Sequence, residues 1–96
     1  VTFGPIKRVR RESSIEAAAV AYAKKRGWWQ MKVMRASVRG IPDRWFIRDG
    51  ALLVIEFKSE RGRLSDHQSR RIEELRQQNV DVHVVDNIEQ AKELLE

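Results

Sequence analysis

Asp49-Gly50-Ala51-Leu52-Leu53-Val54-Ile55-Glu56-Phe57-Lys58 is the stretch on which the reading of this chain turns. Asp49-Gly50 is a strong two-residue hairpin signal. The Leu, Val and Ile run after it has the composition of a strand buried on both faces. Such a strand should not end in charge, because a buried carboxylate or ammonium is costly unless it is paired or binds something. Successive strand residues point to opposite faces, so Glu56 and Lys58 share one face.

Working outward, Arg44–Arg48 is read as the strand that precedes the Asp49-Gly50 turn, antiparallel to Ala51–Lys58. Trp28–Ala36 reads as a first strand, with Trp29, Met31 and Val33 alternating against Gln30 and Lys32. A helix is expected from Ser14 to Arg26, with Ser13 and Glu16 at capping-box spacing, an apolar stripe of Ile15, Ala18, Ala19, Tyr22 and Ala23, and Gly27 as its stop. Downstream, Ser65 caps a helix to Gln78, again with a capping-box partner, Gln68, three residues on. Ile72 and Leu75 mark its buried side. Val80–Val85 is a fourth strand. Asn87–Leu95 is a last helix with Ile88, Ala91, Leu94 and Leu95 inward. The order is α-β-β-β-α-β-α. The helix before the fourth strand permits a parallel crossover, so a mixed sheet flanked by helices is expected.

Composition narrows the function classes. The 96 residues make one modest domain, with 42% hydrophobic and 34% charged residues, a globular balance. A formal charge of +5 favours a polyanionic partner. Lys7, Arg8, Arg10 and Arg11 crowd residues 1–12, which read as an irregular basic arm, either contacting DNA or simply solvated. There is no cysteine, which excludes disulfides and thiolate metal sites, and two histidines are too few for a histidine-rich zinc site. No apolar run is long enough to span a membrane and no signal peptide is visible, so an intracellular location is expected.

The chemistry-bearing residues are Asp43, Glu56 and Lys58. Hydrolysing a phosphodiester needs a positioned water and charge compensation on the phosphate, which divalent cations held by carboxylates supply. Asp43 lies at the mouth of the second strand, thirteen positions before Glu56. The tight turn brings both to the same end of adjacent strands. The Phe57 backbone carbonyl can add an oxygen ligand, and Lys58 can hold the attacking water. Glu56-Phe57-Lys58 is the sole acidic-x-Lys triplet on an apolar strand among fourteen acidic residues. On spacing alone, however, a solvated ion pair at the end of an edge strand competes with a metal cradle.

Three segments, Gly40-Ile41-Pro42-Asp43, Glu56-Phe57-Lys58 and Gly62-Arg63-Leu64-Ser65-Asp66-His67-Gln68, together resemble the VRR-NUC family of the PD-(D/E)XK nuclease superfamily. The resemblance runs from about Glu16 to the C-terminus. It implies a restriction-endonuclease-like α/β fold and a Mg²⁺- or Mn²⁺-dependent DNA endonuclease. Stand-alone, virus-type members resemble homodimeric Holliday-junction resolvases, and the domain also occurs fused in Fanconi-anaemia-associated nucleases. A viral member would work in the host cytoplasm. A less selective flap or duplex nuclease and a DNA-binding module without catalysis remain alternatives. The resemblance implies that Asp43 and Glu56 hold metal, with Lys58 catalytic, Glu16 facing the metal site and Gln68 supporting it. Phe57 stands where Val is frequent and Asn79 where Gly is frequent; Asn tolerates the left-handed helix stop.

Several residues carry a competing role. On spacing, Glu16 and Gln68 are helix caps, and capping and site roles ask for different side-chain directions. Arg39, Arg44, Arg61 and Arg63 are candidate phosphate contacts, as is Arg35, against ordinary solvated surface. Trp28, Trp29 and Trp45 read as core rather than base-stacking platforms. His67 is read as an exposed helix residue.

Overall fold

The computed structural model describes residues 11–96. The basic segment before Arg11, including Lys7, Arg8 and Arg10, lies outside the described residues. Helix α1 (Glu12–Lys25) leads into β1 (Trp29–Lys32), β2 (Arg44–Arg48), β3 (Ala51–Phe57), α2 (Asp66–Gln77), β4 (Asp81–Val85) and α3 (Ile88–Leu95). This is the expected α/β order. The sheet runs β1-β2-β3-β4. The first two pairings are antiparallel and β3–β4 is parallel.

Local chemistry explains most boundaries. Asp49 and Gly50 have φ of 51° and 79°, the doubly left-handed conformation of a type I′ hairpin. Asn79, with φ 63°, stops α2 as anticipated. Asn87 caps α3 by accepting from the Gln90 N–H at 2.8 Å. The start of α1 differs from expectation. The helix begins at Glu12, Arg11 stands at the cap position, and no side chain caps it. Ser13 therefore lies inside the helix and the Ser13–Glu16 capping box does not form.

β3 is a central strand, not an edge. Leu53, Ile55 and Phe57 face α1 and α3, where they pack with Ile15, Ala19, Ala23, Phe46, Ala91 and Leu95. The alanines of α1 permit this close approach. Burying each large side chain contributes about 1.5–3 kcal/mol. On the opposite face Val54 packs with Ile72 and Val82 beneath α2.

β1 is shorter than the sequence suggests, and its apolar set is not buried. Trp29 is 59% exposed and Met31 37%. α2 lies over β3 and β4 and reaches Trp45 of β2, but leaves Trp29, Met31 and Ile47 on the same face exposed. Period-two alternation located the strand but could not say whether a layer covers it. Trp28 and Trp45, by contrast, pack against the two cores and spend their indole N–H groups on the carbonyls of Leu95 (2.8 Å) and Pro42 (2.7 Å). Among the described residues no helix is long and apolar enough to cross a membrane.

Candidate active site

Glu56 sits on the α2 side of β3 and is only 6% exposed. A solvated ion pair is thereby ruled out for it. Its Oε1 accepts from Gln68 Nε2 at 2.7 Å and lies 3.6 Å from Lys58 Nζ. Burial pushes its carboxyl up to about 7 from 4.5; Lys58 opposes the rise, while the carboxylates of Asp43 and Glu12 add to it. Asp43 and Glu56 thus stand near enough to feel each other's charge. Phe57 is fully committed to the core through its ring. Its backbone carbonyl is what it can offer a ligand.

Gln68 closes the capping box and at the same time bonds to Glu56. Its Oε1 accepts from the Ser65 backbone N–H at 3.0 Å, closing the capping box. Its Nε2 is left to donate to Glu56. One amide therefore ties the start of α2 to the end of β3.

Asp43 and the loop that carries it are held at four points. Trp45 donates to the Pro42 carbonyl, and the Val33 N–H donates to the Asp43 carbonyl at 2.7 Å. Gly40, with φ +85°, presses the loop onto the start of α2. A Cβ there would meet the carbonyl carbon of His67 and lie 2.7 Å from the Gln68 backbone nitrogen. Lys32 completes the set, its Nζ 3.8 Å from Asp43 Oδ2 and 3.6 Å from Glu16 Oε2.

Glu16 is buried on the other face of the sheet. Arg44 donates to its Oε2 from Nε at 2.9 Å and Nη2 at 2.7 Å, and Arg44 Nη1 also reaches Gln30 Oε1. Arg44 is accordingly a half-buried strut whose guanidinium is engaged by Glu16 and Gln30. Arg39, Arg61 and Arg63 are exposed around the site end of the sheet, as is Arg35. His67 is exposed.

Sequence reasoning passed over Glu12 and Lys32 at the site, and read Trp45 as core without its hold on the Asp43 loop. Glu12 lies one helical turn before Glu16, a spacing that places both along one side of α1. That was the available signal. Lys32 and Trp45 become visible only through the pairing of β1 with β2, where Met31 lies opposite Trp45 and Lys32 opposite Arg44.

Among the described residues no three acidic or histidine side chains form a ready-made metal cluster. The donor set is nonetheless of the right kind. Two oxygen-donor carboxylates and a nearby carbonyl match a hard divalent cation, and a cation there would offset the burial penalty, and with it the carboxylate repulsion, that raise Glu56.

A solved structure described as a VRR_NUC domain superposes with a TM-score of 0.78 at 24% identity, covering 88% of this chain and 92% of that one; it establishes the fold. No curated protein sequence matches the chain. The model of the VRR-NUC domain matches residues 5–87. That match covers most of the chain and contains every candidate site residue, and with it the protein belongs to the VRR-NUC domain family, a family of nuclease domains.

Proposed function

We propose that this chain is a Mg²⁺- or Mn²⁺-dependent endonuclease that resolves branched DNA, with the four-way junction as its preferred substrate and a homodimer as its working form. The observation that carries this reading is Glu56, a carboxylate buried on a central strand with one lysine and one amide as partners and Asp43 as a like-charged neighbour. A fold keeps such an arrangement at a cost, and a cation site gives it a use.

Asp43, Glu56 and the Phe57 carbonyl would hold the cation. When bound, it supplies positive charge to the phosphate oxygens and lowers the pKa of water. Gln68 fixes the rotamer of Glu56. Gly40 and Trp45 fix the loop that carries Asp43. Glu16 and Arg44 act from behind the sheet, presenting Lys32 to Asp43. Glu12 adds negative charge at the rim of the site. Lys58 holds the attacking water by hydrogen bonding and stabilises charge growing on the phosphate. The water oxygen forms a new bond to phosphorus as the bond to one sugar oxygen breaks, leaving a phosphomonoester and a hydroxyl. Exposed Arg39, Arg61 and Arg63, with the net charge of +5, attract the DNA backbone.

A single small site cannot cut a four-way junction symmetrically, whereas a two-fold pair presents two sites. The test uses labelled four-way junction, flap and linear duplex, each with Mg²⁺, Mn²⁺ or chelator. Metal-dependent, symmetric cutting of the junction alone is expected. Equal cutting of all three substrates would replace this reading with a less selective nuclease, and tight binding without cutting would reduce the chain to a DNA-binding module.

A further inference from the structure

The sheet ends in two edges that the chain treats differently. On β4, the Val85 carbonyl accepts from the Lys58 N–H at 2.8 Å, so by alternation the Val82 and Val84 carbonyls point away from β3. Both are occupied. Val82 O accepts from Arg76 at 3.2 and 2.8 Å, and Val84 O from Gln90 at 3.4 Å. Side chains blunt this edge, as soluble sheets require.

β1 forms the other edge. Val33 donates its N–H to Asp43 across the ladder. The same alternation turns the N–H and C=O of Gln30 and Lys32 outward, and among the described residues no side chain meets them. The one charged side chain of this strand, Lys32, leans toward Glu16 and Asp43 rather than over the outward backbone groups. The exposed large apolar side chains of the described residues all gather here. They are Trp29 (59%), Met31 (37%) and Ile47 (36%) on one face, with Met34 (80%) and Val38 (44%) in the following loop. No charged side chain of β1 or β2 shares the face of Trp29, Met31 and Ile47.

We infer that β1 is the surface on which a second copy of this chain pairs, antiparallel, so that one sheet runs through both copies. This inference rests on the homodimer proposed above and names its interface. The strand is self-complementary. A two-fold axis at Gln30 lets the two Gln30 residues exchange N–H···O=C bonds and sets Trp29 against Met31 of the partner subunit on the same face, a favourable sulfur–aromatic contact. That register keeps the two Lys32 side chains from facing each other. A four-residue edge alone falls short of the roughly 800 Å² per partner of a stable interface, so Met34 and Val38 must join it. The antiparallel arrangement places the two active sites at opposite ends of the paired strands, related by the two-fold.

Sedimentation velocity of the full chain at micromolar concentration tests this. The native chain should sediment as a dimer, and Trp29→Lys/Met31→Lys as a monomer with an unchanged far-UV spectrum and melting temperature. In this cysteine-free chain, Met31→Cys should give a covalent dimer with a short bismaleimide, and Glu73→Cys, on the exposed side of α2, should not. A native monomer at every concentration would overturn both the interface and the homodimer. A native dimer that survives the double lysine variant, or that cross-links through residue 73 and not 31, would overturn the interface alone and leave the homodimer standing. A native monomer whose Met31→Cys thiol resists modification would show the segment before Arg11 covering its own edge, which also overturns the proposal.

Discussion

Two buried carboxylates stand on opposite faces of this sheet, and the chain treats them in opposite ways. Glu16 is met by a guanidinium through two nitrogens at 2.7 and 2.9 Å, with Lys32 behind it. Glu56 has an ammonium at 3.6 Å and a neutral amide at 2.7 Å. The first has what a structural ion pair needs, a planar partner that satisfies it in place. The second is left short of positive charge, beside other carboxylates. On the proposed function, the difference separates a carboxylate that holds the fold together from one kept ready for a cation.

The largest effect that tests this division falls on the Glu56 side. Lys58→Ala should lower cleavage about 10³-fold, of the order seen when a positioned proton-transfer or charge-stabilising group is lost. Junction affinity in a gel-shift assay should stay within about twofold, because phosphate contacts elsewhere supply it. Cleavage at the native rate would remove Lys58 from the site.

Glu16→Gln comes next and should show itself in stability. It strands Arg44 in a partly buried position, and breaking such a pair costs about 3 kcal/mol, read by urea denaturation. Cleavage measured well below the melting temperature should fall by less than about tenfold, since Glu16 and Arg44 reach Asp43 only through Lys32. A variant of native stability that has lost all activity would return Glu16 to the site as a ligand.

Gly40→Ala tests how the two sides of the site are joined. A methyl there meets the backbone of His67 and Gln68 and is strained at φ +85° besides. The loop carrying Asp43 should lift from α2, costing about 2 kcal/mol of stability. It should also raise the Mn²⁺ concentration needed for half-maximal thermal stabilisation. A stability loss with unchanged Mn²⁺ dependence would mean that Gly40 serves folding alone.

The same contrast explains what could be read without a structure. That Asp43, Glu56 and Lys58 come together at one end of adjacent strands was legible because Glu56 and Lys58 close an apolar strand, and a tight Asp49-Gly50 turn carries the register from one strand to the next. Asn79 and Ser65 were legible because helix ends are local chemistry. Glu16 misled because Ser-x-x-Glu is a local pattern, whereas the helix starts ahead of Ser13 and Glu16 pairs with Arg44, twenty-eight residues away. Gln68 could not be assigned to one role because a carboxamide has two ends and uses both. Trp29 and Met31 have the same period-two pattern whether a helix covers them or not, so their exposure was beyond reach.

The smallest effect has the most diagnostic sign. For a buried carboxyl whose pKa is about 7 folded and 4.5 unfolded, the protonated form favours the fold. Its contribution to stability is greatest below 4.5, is lost as pH rises through 7, and is constant above. Metal-free protein should therefore melt a few degrees lower at about pH 8 than at about pH 5 on account of this group. Glu56→Gln keeps an acceptor for Gln68 and removes the charge. In chelator, the variant should melt with the native chain at about pH 5 and above it at about pH 8. Adding Mg²⁺ should raise the native melting temperature at the higher pH and leave the variant where it was. Glu16→Gln should instead melt below the native chain at both pH values, with or without metal. Parallel curves for native and Glu56→Gln protein would mean that Glu56 is as well compensated as Glu16, and the division between the two carboxylates would fall.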